Sequence, residues 1–152
     1  MDKNLKILIC GSSGFIGSNL VERLKKEGHF VVGVDIEKPK YIKPDKFYKV
    51  DLRIPIRCKL VFELCKEFDR VYCLSSDMCG DVYIFSGDND AEVMTNSAMI
   101  NLNVAKYATE AKIKQLFYSS SVCAYSIEQV KKKIKEEDIY PANPDSNYGW
   151  EK

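Results

Sequence analysis

The stretch Lys6-Ile7-Leu8-Ile9-Cys10-Gly11-Ser12-Ser13-Gly14-Phe15-Ile16-Gly17 decides the fold of this chain. Residues 5–10 are β-prone and do not alternate with polar residues from Ile7 onward, which predicts a strand buried on both faces. The glycines then recur as G-x-x-G-x-x-G. Beyond them Ile16, Leu20, Val21 and Leu24 return at helical spacing, and Lys25-Lys26-Glu27 followed by Gly28 supplies a stop. Gly11 permits a tight strand-to-helix turn. Gly14 lets the backbone approach a pyrophosphate without a Cβ clash, and Gly17 lets the helix pack closely on the sheet. The helix N-terminus offers free N–H groups and a positive dipole end to phosphate oxygens. Phe15 and Ile16, within this turn, are counted with the three glycines as cofactor-binding.

Working outward, residues 30–34 form a second buried strand that ends in Asp35, 24 positions beyond Gly11. A carboxylate there accepts hydrogen bonds from a ribose 2′-OH and repels a 2′-phosphate, which favours NAD over NADP. His29 ends the first helix and opens this strand. Further strands are expected at 47–50, 70–74 and 115–118. A helix opening at Pro55 turns Cys58, Val61, Phe62, Cys65 and Phe68 inward, and another covers 91–111. Strands alternating with helices mean βαβ units, right-handed crossovers and a doubly wound parallel α/β sheet. Residues 1–152 read as one dinucleotide-binding domain.

Composition narrows the function. The 23 basic residues against 22 acidic ones give a net charge of +1, so no polyanion surface is expected and nucleic acid is excluded as a partner. The run Lys131-Lys132-Lys133 is balanced by Glu128, Glu136, Glu137 and Asp138 and reads as a solvated face. No apolar run approaches the roughly 18 to 20 residues that span a bilayer, so no membrane partner is expected. The N-terminus shows no signal-peptide pattern, which makes the six cysteines free thiols in a reducing, cytoplasmic setting. None forms a Cys-x-x-Cys pair, and the single histidine has no ligand neighbours, so no metal site is expected.

The last five residues, Tyr148-Gly149-Trp150-Glu151-Lys152, place a tyrosine and a lysine four apart on one helical face. A lysine ammonium beside the phenol is expected to lower its pKa and make Tyr148 a general base. A serine cluster, Ser119-Ser120-Ser121, follows the strand at 115–118, with Ser119 and Ser120 read as structural.

With these motifs in place the sequence resembles the extended short-chain dehydrogenase/reductase family, the NAD-dependent sugar-nucleotide epimerases and dehydratases built on a Rossmann sheet. The likeness rests on Gly11, Gly14, Gly17, Asp35, Asp51-Leu52-Arg53, Ser121, Tyr148 and Lys152. It implies that Asp51, with Leu52 beside it, meets the adenine ring, and that Leu74, Ser75 and Ser76 pass under the cofactor. Two alanines are commoner where Ser75 and Ser76 stand. It also implies that Ser121 hydrogen-bonds the substrate oxygen and that Tyr148 takes the hydroxyl proton while a hydride passes to NAD. Lys152 would hold both Tyr148 and the nicotinamide ribose.

A narrower likeness, to the members that epimerise GDP-mannose, rests on Leu74-Ser75-Ser76-Asp77-Met78-Cys79-Gly80, on residues 96–103, and on Ser120-Ser121-Val122-Cys123-Ala124-Tyr125. It implies GDP-mannose as substrate and Cys123 as one half of a proton-transfer pair. Oxidation of one ring carbon makes a ketone that acidifies the protons beside it, and a thiol titrates closer to neutral pH than a hydroxyl does. Cys123 as a small buried residue is the structural alternative. Cys79 and Ser97 depart from the pattern, where glycine and asparagine are usual. Other nucleotide-sugar epimerases and dehydratases, and a stand-alone NAD-binding module, stay open at this point. The remaining expectations are a homodimer, which the resemblance implies through the 91–111 helix and the helix starting near Tyr148, later strands and a substrate domain beyond this chain, and little activity from the chain alone.

Overall fold

A computed structural model describes residues 4–64, 67–78, 80–126, 128 and 134–152. Cys65, Cys79, Lys131, Lys132 and Lys133 lie outside the described residues. Five strands, β1 (Lys6–Cys10), β2 (Phe30–Asp35), β3 (Lys46–Lys49), β4 (Arg70–Cys73) and β5 (Gln115–Tyr118), form one parallel sheet in the order β3-β2-β1-β4-β5. The helices are α1 (Phe15–Lys26), α2 (Pro55–Leu64), α3 (Asp81–Phe85), α4 (Asp90–Glu110) and α5 (Asn147–Glu151), with short 3-10 turns at Val122–Ala124 and Glu136–Ile139. The strand order departs in both directions from β1, so the switch point of this doubly wound sheet lies at the carboxyl ends of β1 and β4.

Register explains the layers. Leu8 pairs with Val32 on one side and Val71 on the other, so side chains of like parity line up across the sheet. Leu8, Cys10, Val32, Val34, Val71 and Cys73 face α2 and α4 through Cys58, Val61, Phe62, Val104, Tyr107 and Ala108. Ile7, Ile9 and Val31 face α1 through Val21 and Leu24. Ile7 to Cys10 are all fully buried, which is why β1 shows no polar alternation. Each such aliphatic side chain contributes about 1.5–3 kcal/mol of transfer free energy.

Backbone packing divides the chain into two compact units, Met1–Ser75 with Met99–Tyr118, and Ser76–Ala98 with Ser119–Lys152. The first holds the whole sheet. The second has its own small core of Ile84, Val93 and Tyr148, with Tyr83 and Cys123 packed against it.

Several expectations are corrected. Ile16 was expected on the buried face of its helix, yet it is 65% exposed, because the first turn of α1 does not join the core that Val21 and Leu24 make. Phe68 lies beyond the end of α2, although it is buried and meets Phe62 edge-on at 6.4 Å. α3 was not foreseen, since five residues are too short to show a helical period. β5 is the edge strand with β4 as its neighbour, and Leu116 and Phe117 are exposed on it. Among the described residues no helix is long and apolar enough to cross a membrane.

Candidate functional site

The three glycines of the β1–α1 turn are required for different reasons. Gly11 has φ +82°, a left-handed conformation, and a Cβ there would lie 2.8 Å from the Ser75 nitrogen and 2.9 Å from the Leu74 carbonyl carbon. The turn is therefore pressed onto the end of β4. A Cβ on Gly17 would be driven into the Gly11 carbonyl, so this glycine seats α1 on the turn itself rather than on the sheet. Gly14 is different. It is exposed, its backbone is extended, and an added Cβ would make only an ordinary 3.5 Å contact with the Gly11 oxygen. Nothing inside the chain demands a bare backbone there, whereas an incoming phosphate would. Gly14 also caps α1 without a side-chain hydrogen bond, and no acidic residue stands in the first turn. Phe15 and Ile16 begin the helix with their side chains exposed. These features suit an anion at the helix N-terminus.

Asp35 is tied to this turn. Its Oδ2 accepts from the Ser13 N–H at 2.9 Å and its Oδ1 from the Glu37 N–H at 3.0 Å, while Ser13 Oγ donates to the Glu37 carbonyl at 2.8 Å. Two backbone donors thus orient the carboxylate and leave lone pairs for a ribose diol. The sequence reading missed Ser13, whose part depends on a residue 22 positions away.

Asp51 is clamped by the Arg53 guanidinium at 3.0 and 2.7 Å, and it also accepts the Arg53 backbone N–H at 3.0 Å. The guanidinium, helped by that N–H, holds the carboxyl below its ordinary value against the opposing effect of burial. Leu52 is buried in the core. Asn103 of α4 donates to the Leu52 and Arg53 carbonyls at 2.9 and 3.0 Å and pins this stretch in place. An amide within a helix that otherwise turns apolar residues inward was the available signal. Leu74 donates its N–H to the Cys10 carbonyl at 3.0 Å, and Ser75 and Ser76 are half-buried.

In the second unit, Ser121, Cys123, Tyr148 and Lys152 come together. Ser121 caps the 122–124 turn by accepting the Cys123 N–H at 3.2 Å, and its hydroxyl is hydrogen-bonded to the Tyr148 phenol. The phenol also reaches Met78 Sδ at 3.7 Å. α5 is brought to that turn through Gly149, whose Cβ would collide with the Cys123 carbonyl and lie 2.7 Å from Pro144 Cβ. Ser146 caps α5 by accepting the Gly149 N–H at 3.1 Å. The residue between tyrosine and lysine is therefore no spacer, and the motif alone did not show it.

The electrostatics differ from the expected lowering of the Tyr148 pKa by Lys152. The phenol is raised above its ordinary value, first by burial, with Cys123 and Glu151 adding to the shift and the Ser121 hydrogen bond opposing it. The Lys152 Nζ stands 5.5 Å from the ring centroid and 3.2 Å from the Glu151 carboxylate. Asp77 organises the neighbouring segment. It accepts from Asn96 at 2.6 Å and Tyr83 at 3.3 Å, and its own N–H donates to the fully buried Ser97 hydroxyl at 2.9 Å. Among the described residues no three His, Cys, Asp or Glu side chains gather as metal ligands.

The model of the NAD dependent epimerase/dehydratase family matches residues 7–152. GDP-mannose 3,5-epimerase of Arabidopsis thaliana is 39% identical over 158 residues, covering 99% of this chain and 41% of that protein. GDP-mannose 3,5-epimerase 1 of Oryza sativa subsp. indica is 36% identical, covering 99% of this chain and 40% of its own length. A solved UDP-glucose 4-epimerase superposes with a TM-score of 0.78 at 28% identity, over 96% of this chain and 44% of that one. The chain thus spans about two fifths of the length of the curated relatives it matches.

Proposed function

The chain belongs to the NAD dependent epimerase/dehydratase family, and from that premise we propose that it carries the NAD-binding and redox residues of a cytoplasmic epimerase acting on GDP-mannose. The observation that carries the reading is the Ser121–Tyr148 hydroxyl pair with Cys123 beside the phenol. The identity to GDP-mannose 3,5-epimerases supports the choice of sugar nucleotide.

Bound NAD would supply a hydride acceptor. Gly11, Gly14, Phe15, Ile16 and Gly17 would hold its pyrophosphate, Asp35 its adenosine ribose, and Asp51 with Leu52 its adenine, while Leu74, Ser75 and Ser76 would line its underside. Tyr148 receives the proton of the substrate hydroxyl, Ser121 orients that oxygen, and Lys152 binds the nicotinamide ribose. Once the substrate carbon is a ketone, the Cys123 thiolate removes a proton from the adjacent carbon, and inversion requires a second group to return one on the opposite face. A second copy of the chain is the proposed protein partner through α4, on which Met99 and Leu102 are exposed.

Calorimetric titration of residues 1–152 tests the cofactor assignment. NAD is expected to bind, with NADP weaker by about tenfold or more, since Asp35 repels a 2′-phosphate. Failure to bind NAD, or a preference for NADP, overturns the assignment. Because the curated relatives are much longer, little or no turnover of GDP-mannose is expected from these residues alone. Appreciable turnover would contradict that division of labour.

A further inference from the structure

Glu151 is a titratable group that the mechanism above does not use. Its side chain is only 2% exposed, and that of Lys152 only 3%. Burying two opposite charges costs several kcal/mol of desolvation per ion, so such a pair adds little to stability and needs another reason to be there. The geometry supplies one. Glu151 Oε2 lies 3.2 Å from the Lys152 ammonium, which stands over the ring of Tyr148 at 5.5 Å from its centroid. The tyrosine, its counter-charge and the lysine thus occupy one helical turn.

We propose that Glu151 is a positioning residue that parks the Lys152 ammonium over the ring of Tyr148 until the dinucleotide is bound. This deepens the reading of Tyr148 and Lys152 as redox residues and rests on it. With Glu151 as partner, the ammonium is electrically cancelled and does little to favour a phenolate. When the nicotinamide ribose offers hydroxyl oxygens in exchange, the ammonium leaves Glu151 and acts on the phenol. The remaining titratable groups at Tyr148 are Cys123 from the 122–124 turn and Tyr83 from α3, the latter bonded to Asp77. Neither brings a positive charge, so the partnership of Lys152 decides the local balance. Burial raises the phenol above its ordinary value despite the adjacent lysine, with Cys123 and then Glu151 adding to it.

The test is the ionisation of Tyr148 in residues 1–152, followed by isotope-labelled tyrosine NMR with Tyr148→Phe to assign its signal among the nine tyrosines. Without NAD, Glu151→Gln is expected to increase the phenol's ionisation constant by about tenfold, while Glu151→Asp keeps it near wild type. The double variant Glu151→Gln/Lys152→Met is expected to stay within about twofold of wild type, because a cancelled pair is replaced by an uncharged one. No change in Glu151→Gln with its fold intact by circular dichroism, or a large change in the double variant, overturns the proposal. Saturating NAD is expected to raise the wild-type constant towards that of Glu151→Gln. NAD that binds without this effect overturns the release step. Failure of NAD to bind at all removes the functional reading instead, and leaves the comparison made without NAD to decide the parked pair.

Discussion

Gly14 and Gly17 stand three residues apart in one motif and answer to different partners. The Gly17 Cα faces the Gly11 carbonyl, so Gly17→Ala is expected to unseat α1 and lower stability by about 2 kcal/mol or more in urea unfolding. A Cβ on Gly14 would meet nothing closer than 3.5 Å, and Gly14→Ala is expected to leave the unfolding midpoint within a few degrees of wild type while abolishing NAD binding in calorimetry. If both variants lose stability equally, the ligand-facing assignment of Gly14 fails. Asp51 permits a second prediction. Arg53 holds its folded pKa down, so the pair's contribution is present above the unfolded value near ~4 and is lost as pH falls through the folded value. Unfolding free energy should therefore fall as the pH drops below about 4 in the wild type. In Asp51→Asn that slope should be shallower, and an unchanged slope would show that the clamp contributes nothing. Both predictions concern residues visible in the motif, but the partner that gives each residue its task is not adjacent in sequence.

At the scale of elements, α5 is placed by its contacts. Tyr148 is held by the Ser146 cap and by the contact of Gly149 with the 122–124 turn. Gly149→Ala is expected to displace α5, reduce near-ultraviolet circular dichroism from Tyr148 and Trp150, and remove the Ser121–Tyr148 hydrogen bond. Unaltered aromatic spectra would refute that seating. Asn103 does similar work on the 51–53 stretch, where two hydrogen bonds from α4 fix a loop that has no regular structure of its own. Neither residue carries chemistry, and the partner that gives each its task lies far from it in the sequence. Their effect arises from packing between elements, which sequence periodicity does not encode.

For the whole molecule, α4 is the element to question, because it carries exposed Met99 and Leu102 on a helix whose other side is buried through Val104 and Tyr107. If a second copy covers that face, sedimentation should show a dimer of residues 1–152, and Leu102→Glu should shift it to monomer with little change in NAD affinity. A wild-type monomer at high protein concentration would rule out this partner. The sequence by itself determined the parallel doubly wound sheet and the family. The apolar runs of β1 and β2, a glycine turn and an acid at the end of β2 are local patterns that a sheet covered on both faces satisfies. It also named the residues at the two candidate sites. The tertiary structure alone decided what those residues do to one another. Glu151 pairs with the lysine expected to acidify Tyr148, Ser13 orients Asp35, and Gly149 seats α5. Charge compensation and close backbone contact depend on distances of a few ångströms between residues whose spacing in the chain says nothing of them.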